Sequence, residues 1–344
     1  MNNHNLWRVT IDTNPDDCNL SCIMCEDHSP YSNTQKDRIR NRLPKRRMPF
    51  ELVEKVFAEA KALGVKEIIP STMGEPLIYP HFERIIALCH QHQLKLNLTT
   101  NGTFPKKGVD EWAKLIIPIG SDVKISWNGA TKATQEKIML KTKWEKVLSN
   151  LKTFIRIRDE IAAAGGNYCS VTLQLTFMEE NLNELDKIVE LGVSLGVDRI
   201  KGHQLWTHNF PMLQKQSLRK DSDAIARWNI AVEKAQVLSK RQALPNGKYI
   251  KLVNFDHLED SAVNNLSPSG VCPFLGKEAW IASDGRFNPC CAPEKERRAL
   301  GDFGNLHVNS LNEIFNCDAY KKLCQNYMQH TVCQKCNMRQ VPVA

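Results

Sequence analysis

Residues 7–25 read WRVTIDTNPDDCNLSCIMC and connect a strand-like segment to three closely spaced cysteines. Apolar and polar side chains alternate in WRVTIDTN, which predicts a β-strand with one apolar face. Cys18, Cys22 and Cys25 follow this strand within eight residues. Because thiolates are ligands of zinc and of iron–sulfur clusters, the spacing predicts a metal centre on the loop that leaves the strand.

The first 205 residues alternate strand-like and helix-like segments. Apolar residues recur at helical spacing in residues 50–64 and again in 143–166, which ends in a glycine pair. Six strands separated by helices predict a parallel α/β sheet or a partial barrel. A helical connection is expected over 211–264, and a boundary near residue 265 opens a segment of short strands, turns and cysteines.

The alternation within the strands predicts a polar barrel interior. One face of each strand is apolar and suits packing against helices. A fully packed parallel barrel would show apolar side chains on both faces, so we expect this interior to hold a polar ligand. The polar positions are Arg8, Thr10, Asp12 and Asn14; Asn97, Thr99 and Asn101; Lys124, Ser126 and Asn128; and Thr172, Gln174 and Thr176.

Composition excludes several classes of protein. With 42% hydrophobic and 24% charged residues, the chain is not of a disordered type. No apolar run approaches the roughly 18 residues of a membrane span, and the start has no signal-peptide core. We therefore expect a cytoplasmic protein without a membrane partner. In a reducing compartment, 12 cysteines indicate metal ligation or catalysis rather than disulfides.

The net charge of +8 comes mostly from one loop, KDRIRNRLPKRR at residues 36–47, which holds seven basic residues and one acid. Two interpretations stay open: a solvated linker, or a clamp for an anionic partner such as an acidic leader peptide. Because no aromatic-rich pattern accompanies the loop, a nucleic-acid partner is not favoured.

The spacing of the first cysteines allows two kinds of metal centre. Three thiolates can hold three irons of a [4Fe–4S] cube and leave the fourth iron open to a ligand. A structural zinc site needs four ligands, and His28 would supply the fourth as CxxxCxxCxxH. The spacing favours the cube and leaves zinc as the alternative.

The Cys18-Cys22-Cys25 motif after the first strand resembles the signature of the radical SAM superfamily. The resemblance covers residues 7–205, because segments after strands two, three and four resemble further family motifs in the same order. These segments are STMGEPLIYP, similar to the GGE motif with Met73 in place of the first Gly, then LTTNGT and KISWNGAT. In the last one, Asn128 stands where the family usually has an acid.

The resemblance implies S-adenosylmethionine and a [4Fe–4S] cluster as cofactors. In the family, a one-electron reductant such as flavodoxin or ferredoxin enables cleavage of S-adenosylmethionine, and the resulting 5′-deoxyadenosyl radical abstracts a substrate hydrogen. The GGE turn holds the amino group of S-adenosylmethionine. The cofactor-binding candidates that follow are Met73, Gly74, Glu75, Pro76, Asn101, Ser126, Asn128, Gln174 and Thr176.

Four C-terminal cysteines form two pairs. A hairpin turn at Gly285, between AWIAS and RFNPC, would bring Cys272 close to Cys290. The segment CQKC supplies Cys333 and Cys336. Two plus two thiolates ligate either zinc or a complete [4Fe–4S] cube, and the spacing alone does not separate the two.

This region resembles the SPASM/twitch auxiliary-cluster domain, because its C-x12-G-x4-C opening matches that pattern. No cysteine occurs in the last eight residues, so the resemblance implies the shorter twitch arrangement and two [4Fe–4S] clusters in all. The expected architecture is a partial (β/α)6 TIM-like barrel (1–210), a helical connection (211–264) and a small C-terminal α+β cysteine-rich iron–sulfur domain (265–344).

The subgroup includes enzymes that modify ribosomally synthesised peptides and enzymes that oxidise aminocyclitols. We expect peptide modification (epimerisation, oxidation, cross-linking or fragmentation), because the basic loop would suit an acidic leader peptide. A separate partner would recognise the peptide, since the chain begins almost at the first strand. The alternatives are a dehydrogenase or epimerase of a small molecule such as an aminoglycoside, and a zinc-binding interaction module.

Three further residues are catalytic candidates. Cys291 is hypothesised to donate a hydrogen atom to a substrate radical, as in the family's epimerases. The alternative role of Cys291 is core packing, which is also expected of Cys317 and Cys324. A single helix over 311–328 would place these last two on one face. His203 and His208, at the end of the last predicted barrel strand, are acid/base or substrate-binding candidates, with a structural role as the alternative. Cys89 and Cys169 lie in apolar segments and are expected to be structural.

Overall fold

The computed structural model describes residues 6–70, 73–208, 210–259, 270–336 and 338–339. Its strands are β1 (Arg8–Ile11), β2 (Glu67–Ile69), β3 (Lys95–Thr100), β4 (Gly120–Ser126), β5 (Ser170–Phe177), β6 (Arg199–Gln204), β7 (Lys251–Val253), β8 (Glu278–Ile281) and β9 (Phe287–Asn288). Its helices are α1 (Thr34–Arg40), α2 (Phe50–Ala62), α3 (Phe82–His92), α4 (Val109–Ile116), α5 (Lys132–Ile138), α6 (Trp144–Ala163), α7 (Glu179–Leu182), α8 (Leu185–Leu195), α9 (Pro211–Gln214), α10 (Ser222–Arg241), α11 (Glu294–Arg298), α12 (Leu311–Asn316), α13 (Asp318–Asn326) and α14 (Thr331–Gln334). Short 3₁₀ turns occur at Pro76–Ile78 and Tyr327–Gln329.

The strands form one sheet in the order β7-β6-β5-β4-β3-β2-β1-β8-β9. Strands β1 to β8 run parallel to their neighbours, and β9 pairs with β8 in the antiparallel sense. Helices connect the first six strands, as parallel pairing requires. The predicted α/β partial barrel with a cysteine-rich C-terminal domain is therefore confirmed.

The sheet extends beyond the six predicted strands at both ends. Strand β7 lies within the predicted helical connection and pairs with β6. Strand β8 pairs with β1, with Glu278 opposite Arg8, so the cysteine-rich segment continues the barrel sheet. The predicted hairpin is present, and its Gly285 has a φ of 82°, a left-handed conformation that favours glycine. The predicted boundary at residue 265 lies outside the described residues.

The apolar strand faces pack against the helices as the alternation predicts. Val9, Ile125 and Leu173 are fully buried in this core, and so is Trp127 at the end of β4. Burying one such side chain contributes roughly 1.5–3 kcal/mol. The described residues include no helix that combines the length and apolarity of a bilayer span.

One predicted helix is wrong. The segment 311–328 is not continuous, because Cys317 adopts an extended conformation (φ −67°, ψ 151°) between α12 and α13. Its sulfur accepts a hydrogen bond from the Tyr320 backbone N–H (3.4 Å) and caps α13. Cys317 and Cys324 therefore do not share one helix face, although both pack against the core.

Ion pairs fill the barrel interior at the end where its strands begin. Arg8, Glu67 and Glu278 are the first residues of β1, β2 and β8, and Arg8 binds both acids (2.7 and 3.0 Å). On the other side of the barrel, Asp122 accepts from Arg199 and lies 3.6 Å from Lys124. Three acids thus face three bases in this basal layer. The predicted polar interior is filled here by paired side chains.

Candidate functional site

The cysteines of the first loop lie together at the carboxyl ends of the barrel strands. Cys18, Cys22 and Cys25 are free thiols that line a cavity of about 210 Å³. Burial raises the pKa of Cys18 to about 12 and that of Cys25 to about 11. Backbone N–H groups of Leu20 and His28 donate to these two sulfurs (3.5 and 3.3 Å). Buried thiols of this kind ionise when a cation binds them, as metal ligands do.

Gly74 locks the second motif against the cysteine loop. A Cβ at this position would stand 2.1 Å from the carbonyl oxygen of Asn14 and 2.6 Å from that of Asp17, so only glycine fits. The Glu75 N–H donates to the Asp17 carbonyl (2.8 Å), and the Asn14 amide donates to the Glu75 carbonyl (2.9 Å). The two motifs therefore form one rigid wall of the cavity.

The Glu75 side chain is buried, and its carboxylate accepts three hydrogen bonds from other residues of this chain. Its carboxylate accepts from the Thr100 hydroxyl (2.7 Å), the Asn101 N–H (2.8 Å) and the Leu77 N–H (3.3 Å). Burial raises its pKa to about 7. The Asn101 amide donates in turn to Asn19 (2.7 Å), which connects the end of β3 to the cysteine loop.

The structure brings most of the predicted cofactor-binding residues to cavities. Met73, Gly74, Glu75, Asn101 and Ser126 line the cavity with the three cysteines, here called the first cavity. The other four candidates divide into two that line an adjoining cavity, Gln174 and Thr176, and two that line neither, Pro76 and Asn128. The Asn128 side chain accepts from the Thr176 backbone N–H (2.9 Å), so its visible role is to join β4 to β5.

The basic loop 36–47 binds acids that flank the cysteine motif. Asp16 and Asp17 precede Cys18, and Asp27 follows Cys25. Four of the loop's seven basic side chains therefore pair with acids of this chain, although Lys45 and Arg47 stay 65% and 41% exposed. Both interpretations of the loop's charge stay open. The pairs are Arg38–Asp16 (3.0 Å), Lys45–Asp17 (2.6 Å), Arg46–Asp27 (2.8 Å) and Arg47–Asp17 (2.6 Å).

A second cavity, of about 340 Å³, lies between the barrel interior and the C-terminal segment. It adjoins the first cavity, because Met24, Cys25, Met73 and Thr99 line both. The predicted polar interior is confirmed at this level. The lining side chains from the inner strand faces include Arg8, Lys124, Gln174, Thr176, Lys201 and His203.

Three residues that line the second cavity each have a buried polar atom with no hydrogen-bond partner among the described residues: Glu26 Oε2, His208 Nδ1 and Trp280 Nε1. A buried polar group left unpaired costs about 1–3 kcal/mol, so three in one cavity indicate a polar ligand. The other Glu26 oxygen accepts from the Glu294 N–H (3.0 Å), and burial raises the pKa of Glu26 to about 7. Sequence reasoning missed Glu26, whose one signal is its place directly after Cys25.

Both predicted histidines line the second cavity. Burial lowers the pKa of His203 and of His208 to about 4, so both are neutral at pH 7. A ring nitrogen of His203 lies 3.4 Å from the Thr176 hydroxyl. His208 has a φ of 48°, and its ring hydrogen-bonds the Met24 backbone within the cysteine loop. Their catalytic roles remain predictions.

The second set of cysteines lines a third, narrow cavity of about 30 Å³. Leu275 N–H donates to the Cys272 sulfur (3.5 Å), and Met338 N–H donates to the Cys336 sulfur (3.4 Å). The third cavity adjoins the second, because Trp206, Phe274, Cys291 and Met338 line both. Cys291 therefore lies between the two sets of cysteines. The four that line this cavity as predicted are Cys272, Cys290, Cys333 and Cys336.

Both donor sets consist of cysteines, whose thiolates are the ligands of iron–sulfur cubes. Among the described residues, no three His, Cys, Asp or Glu side chains converge as ligands of one ion do. Zinc would draw four atoms to about 2.0–2.3 Å from one centre, whereas a cube is held by thiolates spread over its irons. His28, the proposed fourth zinc ligand, has its Nε2 atom 2.8 Å from the Pro15 carbonyl oxygen.

Comparison with known families agrees with this site. Residues 15–192 match the radical SAM superfamily, and residues 272–337 match SPASM, an iron–sulfur cluster-binding domain. The chain therefore belongs to the radical SAM superfamily and is an enzyme of that class. Its members use S-adenosylmethionine and a [4Fe–4S] cluster. The match is to SPASM, and the shorter twitch arrangement stays a prediction.

Individual relatives cover almost the whole chain. The tungsten-containing aldehyde ferredoxin oxidoreductase cofactor-modifying protein of Pyrococcus furiosus is 24% identical over 341 residues, which cover 94% of this chain and 85% of the relative. The crystal structure of Streptococcus suis SuiB bound to precursor peptide SuiA matches with a TM-score of 0.66 and 15% identity, over 96% of this chain and 72% of SuiB. Native anSMEcpe with bound AdoMet matches with a TM-score of 0.65 and 15% identity, over 97% of this chain and 91% of anSMEcpe. At these identities the two structures show the fold alone.

Proposed function

We propose that this enzyme reductively cleaves S-adenosylmethionine and abstracts a hydrogen atom from a polar substrate held in the second cavity. The observation that carries the proposal is the continuity of three cavities. Cys25 and Met73 border both the first and the second cavity, and Cys291 borders both the second and the third. A radical formed at the first loop would therefore arise directly beside the substrate.

In this proposal Cys18, Cys22 and Cys25 hold a [4Fe–4S] cluster. Three thiolates leave one iron for S-adenosylmethionine, and Gly74 and Ser126 border the space beside it. When bound, these cofactors supply a 5′-deoxyadenosyl radical after one electron arrives from a reductant such as flavodoxin or ferredoxin. The chain's own contribution is to hold the loop rigid and to bury the site.

A second cluster is assigned to the third cavity. Its ligands would be Cys272, Cys290, Cys333 and Cys336, which supply one thiolate for each iron of a cube. Backbone N–H donors to two of these sulfurs support the assignment, since such hydrogen bonds accompany cluster ligands and tune their potential. Full ligation by protein would leave this cluster no open iron for substrate.

Cys291 is proposed as a hydrogen-atom donor to the substrate radical. Its side chain borders the second cavity, where the substrate would lie. In this step the S–H bond breaks and a C–H bond forms on the substrate. The thiyl radical left on Cys291 then takes up one proton and one electron, the electron coming from the same class of reductant.

The geometry favours a small polar molecule as the substrate. A cavity of about 340 Å³ suits a ligand of small-molecule size, and the full-length relative from Pyrococcus furiosus is named for modifying a cofactor. The charge argument for an acidic leader peptide is weaker than the sequence indicated, because four of the loop's seven basic side chains pair with acids of this chain. Peptide modification remains the second candidate, supported by the SuiB structure with its bound precursor peptide.

Anaerobic reconstitution tests the chemistry. We expect about eight irons per chain, as two cubes require, and formation of 5′-deoxyadenosine after addition of dithionite. Cys18→Ala should abolish 5′-deoxyadenosine formation, whereas Cys89→Ala, at a buried position outside the three cavities, should retain it. Colourless protein that binds zinc would contradict the proposal. Mass spectrometry of metabolite extracts and of co-expressed peptides then separates the two substrate candidates.

A further inference from the structure

Lys201 is a basic residue of the barrel interior that takes part in none of the ion pairs described for the basal layer. In that layer Arg8 pairs with Glu67 and Glu278. Asp122 pairs with Arg199 and Lys124. Lys201 is the third residue of β6, two positions after Arg199, so its side chain points to the same inner face. It lines the second cavity. Within the described chain, its ammonium makes no hydrogen bond and no ion pair within 4 Å.

The surroundings of Lys201 add positive charge and further hydrogen-bond donors. Burial, followed by the charges of Arg8 and Arg199, lowers the pKa of Lys201, and Glu278 acts in the opposite direction while it is paired with Arg8. Gln174 is directly opposite Lys201 in the β5–β6 register and also lines the cavity. The Trp280 indole N–H, unpaired and buried, lines it too.

We propose that Lys201 binds an anionic group of the substrate, a carboxylate or a phosphate, on the floor of the second cavity. An ammonium withdrawn from water is retained in proteins when a counter-charge and hydrogen-bond acceptors meet it, and no described residue comes within ion-pair or hydrogen-bond distance of the partly buried Lys201. A carboxylate or phosphate supplies both, and it also accepts from the Gln174 amide and the Trp280 indole. The inference rests on the proposed function only in taking this cavity as the substrate site.

The anion would orient the substrate along the cavity. Lys201 lies within β6, three residues before the strand ends, whereas Met24 and Cys25 belong to the cysteine loop at the carboxyl ends of the strands. A substrate fixed at its charged end therefore presents its far end to the radical. An anionic small molecule is the substrate class that this arrangement selects, and a neutral analogue would lose both affinity and orientation.

Competitive labelling of the reconstituted enzyme tests the proposal. Trace acetic anhydride modifies accessible lysines, and peptide mass spectrometry measures the rate at each one. Succinate and inorganic phosphate are the probes, and succinamide is the neutral match for succinate. At a probe concentration of about four times its Kd, labelling of Lys201 should slow about fivefold, while that of exposed Lys66 stays unchanged.

The outcomes separate this inference from the proposed function. Protection by succinate assigns a carboxylate and protection by phosphate assigns a phosphate, whereas equal protection by succinamide, or none by either anion, overturns the inference. Calorimetry supplies a second readout: Lys201→Met with normal iron content should lose probe binding, and Lys66→Met should keep it. Labelling requires no cleavage of S-adenosylmethionine, so an absence of protection at Lys201 does not contradict the proposed cluster chemistry. If Cys18→Ala fails to abolish that chemistry, the result in turn does not contradict anion binding at Lys201.

Discussion

Arg46 donates a hydrogen bond to Asp27 over 2.8 Å and so ties the basic loop to the residue two places after Cys25. Arg46 also pairs with Asp16, on the other side of the cysteine motif. One guanidinium therefore spans the two ends of the loop that presents three thiols. Because the side chains of Asp16 and Asp27 are only 3% and 7% exposed, these contacts hold the loop against the body of the barrel.

Arg46→Gln should loosen the cysteine loop. The substitution leaves two buried carboxylates without their shared partner, and because Arg46 is partly exposed we expect a loss of about 2 kcal/mol in the free energy of unfolding. Iron content after reconstitution should fall as well. Urea denaturation and iron analysis measure the two effects. Arg42→Gln, at an exposed position of the same loop, is the matched control, and equal losses in both variants would argue against this role of Arg46.

Gly74→Ala should disrupt the first cavity. The new Cβ would lie 2.1 Å from a backbone oxygen of Asn14, so the two loops must separate. We expect iron content and S-adenosylmethionine binding to fall at least tenfold, the equivalent of about 1.4 kcal/mol or more. Gly64→Ala is the control: its Cβ meets open space, and its left-handed φ of 77° predicts a cost of about 1–2 kcal/mol without loss of iron. Normal binding in Gly74→Ala would refute the steric argument.

His203 should make stability depend on pH. Its pKa falls from 6.5 to about 4 on folding because it is buried, so between these pH values the unfolded chain holds more protons than the folded one. The free energy of unfolding should therefore be highest above pH 6.5 and decrease as the pH falls toward 4, by about 1–3 kcal/mol for this group. Denaturation at pH 7 and pH 5 measures the slope. His203→Asn should reduce it, whereas exposed His90→Asn should not.

Cys291→Ala should change the product and leave the iron content unchanged. If the thiol donates a hydrogen atom, its loss traps or diverts the substrate radical, which product analysis by mass spectrometry detects. Cys324→Ala is the control, because Cys324 borders none of the three cavities in the described chain. An unchanged product from Cys291→Ala would assign this cysteine to packing alone.

The local features of the site were predictable from the sequence for a physical reason. Thiol spacing such as Cys18-Cys22-Cys25 is set within a few residues, and side-chain alternation in a strand is set by its two-residue period. These regularities predicted that the three cysteines lie together on the first loop, that the barrel interior is polar, and that a hairpin turns at Gly285. The predicted helix over 311–328 was wrong because the turn at Cys317 is stabilised by a side-chain cap, which helical periodicity does not reveal.

Pairing across the barrel was decided by the tertiary structure alone. The sequence indicated an excess of basic residues in 36–47, but the ion pairs to Asp16, Asp17 and Asp27 depend on how that loop folds back. Strand β8 joins β1 across 270 residues of chain, which places Glu278 beside Arg8. That arrangement leaves Lys201 without an ion-pair partner in the part of the chain that the structure describes. Because charge compensation in a buried site depends on neighbours distant in sequence, only the folded chain distinguishes a paired cation from one that is free for a ligand.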